Sequence, residues 1–339
     1  MKRIISVTPL LCMAVILFFI TTAFYYSGIF SRSTEETEAV PAETISGEEY
    51  VNVNDFGATP GDPQDDSAAI QTAINYAGES QIGTVKILGN TDYYLEEGIV
   101  IKKGVRLELG QNTRLFVLED FRAVDIRKNA SIHNGMIEVV DPGFQSEVIY
   151  LDGDQKFWSW DSTQIKNIRI INSSESFRGT AVSLAADGPD HFISFVNFTN
   201  LNLVGFEYGI HLEAVEQSTK EDYTYINGNR FTNITIDSCV HCIHIEGAVT
   251  IPNEVSGNIF SNLQVQISAE TERVMTVRGT SNRFDGVIWD EHLLTHSRPV
   301  LVFTQQSSKS RLDTNLAVTH IRDRGQSNML LHPAQGQEP

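Results

Sequence analysis

The feature of this chain that most constrains its fold is a segment that occurs twice. Tyr208–Ala214 reads YGIHLEA and His241–Gly247 reads HCIHIEG, with Ile210 and Ile243 in matching positions. The segments that precede them, NFTNLNL and RFTNITI, match at the same offset. A repeat whose interval is the distance along the chain from Ile210 to Ile243, and which is built on alternating apolar residues, is typical of a solenoid, in which each copy forms one coil.

Two types of short apolar strand recur along the chain. Strands of the first type, which include IHLE and IHIE, follow one another at this interval or a somewhat shorter one and begin at Val124, Ile149, Val182, Ile210, Ile243, Met275 and Leu301. Strands of the second type begin at Ile168, Leu201, Ile234, Leu263 and Val287. We predict that the phenylalanines ahead of the last four stack in the core: Phe198, Phe231, Phe260 and Phe284. Asparagines near these strands suit turns, where they tolerate left-handed backbone and can form ladders.

A single amphipathic segment precedes the strands. It follows Asp66 and Ser67, either of which can cap a helix, and its apolar residues keep helical spacing at Ala69, Ile70, Ala73, Ile74 and Ala77. One helix ahead of a long run of strands predicts a cover over the open end of a solenoid.

The stretch that contains this helix closely resembles the opening of the pectate-lyase-superfamily domain, which many polysaccharide-active β-helical enzymes and phage tailspikes share. That opening has a D-F-G-A turn, a D-D-[ST] cap and an A-I-x-x-A-I helix, matched here by Asp55–Ala58, Asp65–Ser67 and Ala69–Ile74. The resemblance implies an all-β fold, a right-handed single-stranded parallel β-helix with an N-terminal capping helix, over residues 50–331. The N-T-D, D-D, G-H-G and R-I-K motifs of the polygalacturonase branch are not found on successive coils, so no catalytic residue is carried over.

The N-terminus predicts a location outside the cytoplasm. Lys2 and Arg3 are followed by an uncharged run, Ile4–Phe30, which exceeds the roughly 20 residues that a helix needs to span a bilayer. We favour an uncleaved transmembrane anchor over residues 1–30, with the C-terminal domain outside, and a cleaved signal peptide of a secreted protein is the alternative. We predict a flexible acidic linker at 31–49 and a disordered tail at 332–339.

Charge and cysteine content exclude several classes of protein. The net charge of −18 argues against nucleic acid as a partner, since phosphate binding needs clustered Lys and Arg. Cys239 and Cys242 form CVHC, but a zinc site needs about four ligands and no second pair exists, so we interpret them as small residues at a turn. We expect no cofactor or metal, although Asp152 and Asp154 could contribute to a calcium site. The superfamily contains many trimers, and the sequence leaves the number of subunits open.

The strands of the first type should place two columns of polar side chains on one outward face. Successive side chains point to opposite faces of a strand, and stacked coils lie roughly 4.8 Å apart. One column comprises Asp125, Tyr150, Ser183, His211, His244 and Thr276. The other comprises Arg127, Asp152, Ala185, Glu213, Glu246 and Arg278. Long loops follow these strands, and long ordered loops on a rigid scaffold are where sites occur.

This face is suited to acid–base chemistry on a polysaccharide. We predict that six side chains are catalytic: His211, His244, Glu213, Glu246, Tyr150 and Arg278. We predict that four bind substrate: Asp152, Arg127, Trp158 and Trp160. The two tryptophans belong to a polar loop and would stack on sugar rings, unless they pack against the flank of the solenoid instead.

Two mechanisms and one non-catalytic function remain open at this point. In β-elimination or epimerisation, Arg278 or Arg127 would neutralise a uronate carboxylate, His211 or His244 would remove the C5 proton, and Tyr150 or the second histidine would protonate the leaving oxygen. In hydrolysis, Glu213 and Glu246 would form the closely spaced carboxylate pair of a retaining glycosidase. The alternative to an enzyme is a glycan-binding or cell-envelope assembly protein that uses the same face.

Overall fold

The structure is a computed structural model that describes residues 49–331, except 220–221, 248, 251–252 and 295–297. The chain divides into two units, Met1–Gly47 and Glu48–Pro339, and all described residues belong to the second. The anchor predicted at 1–30, nearly all of the predicted linker and the predicted tail lie outside the described residues. Among the residues that are described, no helix is long and apolar enough to cross a membrane.

The helix predicted as a cap is helix α1 (Ser67–Glu79). Its apolar face is fully buried and packs against the first strands of the solenoid, as the spacing of Ile70 and Ile74 predicts. Asp66 holds the N-cap position, but its carboxylate accepts the backbone N–H of Tyr94 (3.0 Å) instead of a helix N–H. Asp65 accepts the N–H of Ser67 (2.9 Å). The cap signature therefore also ties the helix to the next coil.

Twenty-seven strands are found in the described part of the chain. The first thirteen are β1 (Val51–Asn52), β2 (Thr84–Ile87), β3 (Asp92–Leu95), β4 (Ile99–Ile101), β5 (Arg106–Leu109), β6 (Arg114–Val117), β7 (Val124–Ile126), β8 (Ser131–His133), β9 (Met136–Val139), β10 (Glu147–Asp152), β11 (Gln164–Asn172), β12 (Thr180–Ala186) and β13 (His191–Ser194). The others are β14 (Asn197–Val204), β15 (Tyr208–Ala214), β16 (Thr224–Asn227), β17 (Arg230–Asp237), β18 (His241–Gly247), β19 (Val249–Thr250), β20 (Asn253–Ser256), β21 (Ile259–Gln266), β22 (Arg273–Arg278), β23 (Arg283–Trp289), β24 (Leu301–Phe303), β25 (Arg311–Thr314), β26 (Ile321–Asp323) and β27 (Met329–Leu331).

The strands form three sheets that run along the solenoid. Sheet 1 has fourteen strands, sheet 2 has nine in the order β26-β24-β22-β18-β15-β12-β10-β7-β4, and sheet 3 has four in the order β13-β16-β20-β19. The chain visits the sheets in turn: β11, β12 and β13 lie one in each sheet, and β14, β15 and β16 repeat the circuit with parallel pairing. The predicted all-β parallel β-helix is therefore confirmed.

The core contains the predicted phenylalanine stack. Phe198, Phe231, Phe260 and Phe284 are fully buried, and their ring centroids are separated by 4.4, 4.4 and 5.0 Å along the stack. Both cysteines at CVHC are also fully buried and free, and burial raises the pKa of the Cys239 thiol to about 12. They are core residues beside a turn, as the sequence indicates.

Asparagine ladders join the coils at two turns. The exposed ladder consists of Asn134, Asn167, Asn200, Asn233 and Asn262, whose side chains donate to one another over 2.6–3.1 Å and whose φ angles are all positive. A buried ladder consists of Asn229, Asn258 and Asn282. The structural role expected for these asparagines is confirmed for the members of both ladders.

One predicted register is wrong by a residue. Leu263 pairs with Gly286 and Gln264 pairs with Val287, so the last strand of the second type does not begin at Val287 in register. The cause is one residue fewer between Phe284 and Gly286 than in the preceding coil, which shifts the register after the phenylalanine. A side chain at Gly286 would also collide with the Leu263 carbonyl at 2.3 Å.

Candidate functional site

The two predicted outward columns lie in register on sheet 2. His211 pairs with His244, and Glu213 pairs with Glu246. On the N-terminal side the first column continues through Ser183 and Tyr150 to Asp125. On the C-terminal side Thr276 follows His244 and Arg278 follows Glu246. The register that alternation and repeat spacing predict for these side chains is therefore the one observed.

A third column of outward side chains, which strict alternation does not predict, lies beside the histidines. Tyr208 and His241 pair on adjacent strands and point outward, although each lies two residues before a buried isoleucine. Gly209 and Cys242 after them both face the core, which breaks the alternation. A side chain at Gly209 would lie 2.6 Å from the Cys242 carbonyl oxygen, so this close approach requires glycine.

The three columns produce a compact cluster of rings. The Tyr208 ring stacks on His211 and on His241 at 5.1 Å each and meets His244 edge-on at 5.4 Å. The His211 and His244 rings are 5.3 Å apart. Burial, together with the neighbouring His244, lowers the pKa of His211 to about 4. His211 is thus a neutral imidazole at neutral pH and can accept a proton.

The two glutamates occupy different electrostatic environments. Glu246 lies between an arginine and a histidine, with Arg278 Nη1 at 3.3 Å and His244 Nε2 at 3.5 Å. Glu213 has no such ion pair among the described residues, and burial together with the carboxylates of Glu246 and Asp187 raises the pKa of Glu213. The two carboxyl groups on adjacent strands therefore differ in environment: the pKa of Glu213 is raised, and Glu246 is ion-paired.

Tyr150 and Arg127 are engaged by neighbours. The Arg122 guanidinium carbon lies 3.3 Å above the centre of the Tyr150 ring, and burial raises the pKa of the Tyr150 phenol, which stays protonated. Arg127 Nη2 lies 3.1 Å from Asp125 Oδ2. Arg278 is likewise paired with Glu246. Both arginines expected to meet a substrate carboxylate are therefore already paired with protein carboxyl groups.

The loop tryptophans belong to a larger aromatic surface on sheet 3. Trp158 packs edge-on against Phe192 and Phe195 at 5.8 and 5.4 Å, and it lies 5.9 Å from Trp160, which is 77% exposed. Phe192 stacks on Tyr225 at 4.9 Å, and Tyr223 continues the series at 5.7 Å from Tyr225. We call the six residues the aromatic surface: Trp158, Trp160, Phe192, Phe195, Tyr223 and Tyr225.

Asp152 lies at the end of β10 with neighbours that the sequence did not suggest. His191 Nδ1 is 3.8 Å from Asp152 Oδ1 and 3.2 Å from Asp187 Oδ1. Asp154, expected as a possible calcium ligand, instead donates its backbone N–H to Asp152 at 2.9 Å. Asp187 follows β12 and His191 begins β13, so their partnership with Asp152 depends on how the connection between these two strands folds.

Two cavities lie away from the glutamates. One of about 530 Å³ continues the same face toward the C-terminus and is lined by Thr276, Val302 and four arginines, Arg273, Arg298, Arg322 and Arg324. A larger one of about 940 Å³ lies on sheet 1. There Arg114 and Asp92 pair at 2.7 Å and the asparagines of the turns bond to one another, so its polar groups serve the fold. We therefore give it less functional weight despite its size.

Comparisons with known proteins yield matches only among solved structures. No family model matches the chain, and no curated protein matches it. The A-module of the Azotobacter vinelandii mannuronan C-5 epimerase AlgE4 is 12% identical, with a TM-score of 0.43 over 84% of this chain and 96% of the module. The Streptococcus pneumoniae surface protein and adhesin PfbA is 11% identical, with a TM-score of 0.40 over 83% of this chain and 97% of that protein.

A third match is a double mutant of the tailspike protein of E. coli bacteriophage HK620. It is 14% identical, with a TM-score of 0.39 over 86% of this chain and 64% of the tailspike chain. At these identities and scores the matches carry no argument about function. The fold rests on the strand registers, and the function must be argued from the residues on sheet 2.

Proposed function

We propose that this β-helix acts on a polysaccharide outside the cytoplasm and that it hydrolyses glycosidic bonds at the outward face of sheet 2. The observation that carries this proposal is the pair Glu213 and Glu246. The two carboxyl groups lie on adjacent strands in register, and their surroundings differ: the pKa of Glu213 is raised, while Glu246 is paired with Arg278. Such a pair is what glycoside hydrolysis needs.

The two carboxyl groups would divide the work as follows. Glu213, whose pKa is raised, is the general acid that protonates the glycosidic oxygen. Glu246, which lies within ion-pair distance of Arg278 and His244, is the nucleophile that attacks the anomeric carbon. Adjacent parallel strands are roughly 4.8 Å apart, which approaches the roughly 5–5.5 Å separation of retaining enzymes. Water would then release the sugar, with Glu213 acting as base.

Two further surfaces support a sugar polymer as the ligand. The aromatic surface offers broad apolar faces, and Trp160 at its edge is largely exposed. The arginine-lined cavity continues the first column beyond Thr276, and in a chain of net charge −18 such a cluster favours anionic groups. Together they favour an acidic polysaccharide lying along the solenoid.

A second candidate is β-elimination, and the observation in its favour is His211. A buried imidazole with a pKa of about 4 is a neutral base next to His244. Against it, Arg278 and Arg127 are paired with Glu246 and Asp125, which leaves neither to acidify the C5 proton of a uronate. We therefore place hydrolysis first.

Glycan binding without catalysis is the third candidate, and the openness of the face favours it. The two cavities described on sheets 1 and 2 do not enclose Glu213 or Glu246. A binder would use the aromatic surface and the arginines and would need no carboxyl pair. The variants below separate this function from an enzyme.

The test is incubation of the full-length protein with a panel of acidic and neutral polysaccharides. Hydrolysis predicts new reducing ends without the ultraviolet absorbance of unsaturated uronate, and loss of product in Glu213→Gln and Glu246→Gln. Glu108→Gln is the matched control, because Glu108 is an outward glutamate in an ion pair on sheet 1, 3.7 Å from Arg106. Ultraviolet absorbance would instead establish elimination, and binding with no product from any polymer would sink the enzyme proposal.

A further inference from the structure

We propose that Asp152, Asp187 and His191 bind a divalent transition-metal ion of the zinc class at the edge of sheet 2. Asp152 ends β10, and its register partner Ala185 lies two residues before Asp187. His191 begins β13, after a short turn in which its N–H bonds to the Gly188 carbonyl at 3.1 Å. Two successive coils thus deliver the three side chains to one point.

The separations of the donor atoms suit a single ion. His191 Nδ1 lies 3.2 Å from Asp187 Oδ1 and 3.8 Å from Asp152 Oδ1, and the three ligand atoms all lie within 4.8 Å of one another. Ligands at about 2.0–2.2 Å from a tetrahedral ion are about 3.3–3.6 Å apart, so side-chain rotations that shorten the longer separations would complete the set.

His191 Nδ1 supplies an independent observation. This nitrogen is inaccessible to solvent and makes no hydrogen bond among the described residues. Buried polar atoms are nearly always satisfied, and an imidazole nitrogen facing two carboxylate oxygens is either an ion-paired N–H or a metal ligand. Asp152 Oδ1 also accepts the Asp154 N–H at 2.9 Å, which orients the carboxylate as supporting hydrogen bonds do at metal sites.

Two glycines allow the loop to reach this position. A Cβ at Gly188 would lie 2.7 Å from the His191 ring, and a Cβ at Gly153 would lie 3.0 Å from His191 Cβ. Any larger residue at Gly188 would displace the imidazole from the carboxylates. The backbone therefore lies close to the His191 ring at Gly188 and close to the His191 Cβ at Gly153.

The donor set selects the kind of ion. Calcium and magnesium take oxygen ligands, whereas imidazole suits zinc and other first-row transition metals. Three protein ligands leave one coordination position open. The site is thus chemically different from the all-aspartate calcium site that the sequence suggested at Asp152 and Asp154, and metal binding to it can be measured whether or not Glu213 and Glu246 hydrolyse a substrate.

The test measures metal directly, so that it does not depend on enzymatic activity. Full-length protein stripped with a chelator is titrated with Zn²⁺, Mn²⁺ and Ca²⁺ by calorimetry, and metal retained after gel filtration is counted by mass spectrometry. We expect one equivalent of Zn²⁺ or Mn²⁺, with binding weakened at least about 100-fold in Asp187→Asn and His191→Gln, because supporting residues alone are worth about 10- to 100-fold.

Two matched variants serve as controls, and both should bind as the wild type does. Asp190→Asn alters the same loop at a carboxylate that faces Lys156, and His292→Gln alters another histidine–aspartate pair, with Asp290 at 3.9 Å. Asp187 is 66% exposed, so its substitution should leave the melting temperature of the metal-free protein unchanged. Failure to retain stoichiometric metal, uptake unaffected by both ligand variants, or selective binding of Ca²⁺ would each overturn the proposal.

Discussion

Among single residues, burial decides what the outward columns can do. His211 and Glu213 point away from the core, yet burial lowers the pKa of His211 and raises the pKa of Glu213, which favours the neutral form of each. The repeat predicted that these side chains would stack on successive coils, since register follows from alternation and spacing. Their pKa values depend on burial and, for Glu213, on the loop carrying Asp187, and no local sequence pattern predicts how that loop packs around them.

The first prediction concerns stability and pH at His211. The pKa of His211 in the folded protein, about 4, lies below its ordinary value of 6.5. The contribution of the neutral imidazole to the free energy of unfolding is therefore complete above pH 6.5 and is lost as the pH falls toward 4. The shift corresponds to about 3 kcal/mol. His211→Gln should flatten this part of the stability profile, measured by urea unfolding between pH 4 and 7. The exposed His292→Gln should keep the wild-type slope, and equal slopes in all three proteins would contradict the prediction.

The second prediction concerns catalysis and pH at Glu213. A general acid must be protonated, so the hydrolysis rate should fall as the pH rises through the raised pKa of Glu213. Glu213→Gln should lower kcat by about 10²- to 10⁴-fold and remove this alkaline limb from the pH–rate profile. An unchanged alkaline limb in the variant would assign that titration to another group.

Among the strands and helices, the sequence predicted regular elements well and their irregularities poorly. Apolar spacing identified seven strands of sheet 2 and the phenylalanine stack, because both follow from alternation and a nearly constant repeat length. It placed Val287 one residue out of register, and it did not predict that Tyr208 and His241 point outward. All three lie where the alternation breaks. Both breaks occur at a glycine that meets a neighbouring carbonyl too closely for a side chain, Gly286 and Gly209.

The third prediction tests the phenylalanine stack. Phe231 is fully buried between Phe198 and Phe260, with ring centroids 4.4 Å away on both sides. Phe231→Ala should lower the free energy of unfolding by about 3–5 kcal/mol, because it removes apolar burial and leaves a cavity between two coils. Val318→Ala, at a 58% exposed position, should change it by less than about 0.5 kcal/mol. Chemical denaturation gives both values, and similar small losses would contradict the stacked core.

Across the whole described domain, the solenoid brings together residues that are far apart in sequence. The glutamates and histidines come from β15 and β18, the aromatic surface from three loops and strands of sheet 3, and the arginine cavity from the last coils. The repeat predicted only the first of these sets. The other two depend on loops of unequal length, whose paths are set by packing between coils and not by alternation.

The fourth prediction tests the cap at the N-terminal end. Ile74 lies on the fully buried face of α1, which covers the first coil, while Thr72 lies on the exposed face. Ile74→Asp should detach the cap, because a buried carboxylate is costly, and the uncovered strands should then pair with other molecules. We expect larger species by analytical ultracentrifugation for this variant and the wild-type profile for Thr72→Asp. Identical profiles for all three proteins would show that α1 does not protect the end.

The proposal on which most depends is that Glu213 and Glu246 hydrolyse glycosidic bonds in a polysaccharide. Time-resolved proton NMR of the reaction, on a polymer selected by reducing-end release, is the sharpest test. A single spectrum reports both the anomeric configuration of the first product and any unsaturated sugar. We predict a product with retained configuration that is absent with Glu246→Gln. An inverted product, the vinylic proton of an unsaturated uronate, or the same product from the Glu246→Gln variant would contradict hydrolysis by this pair.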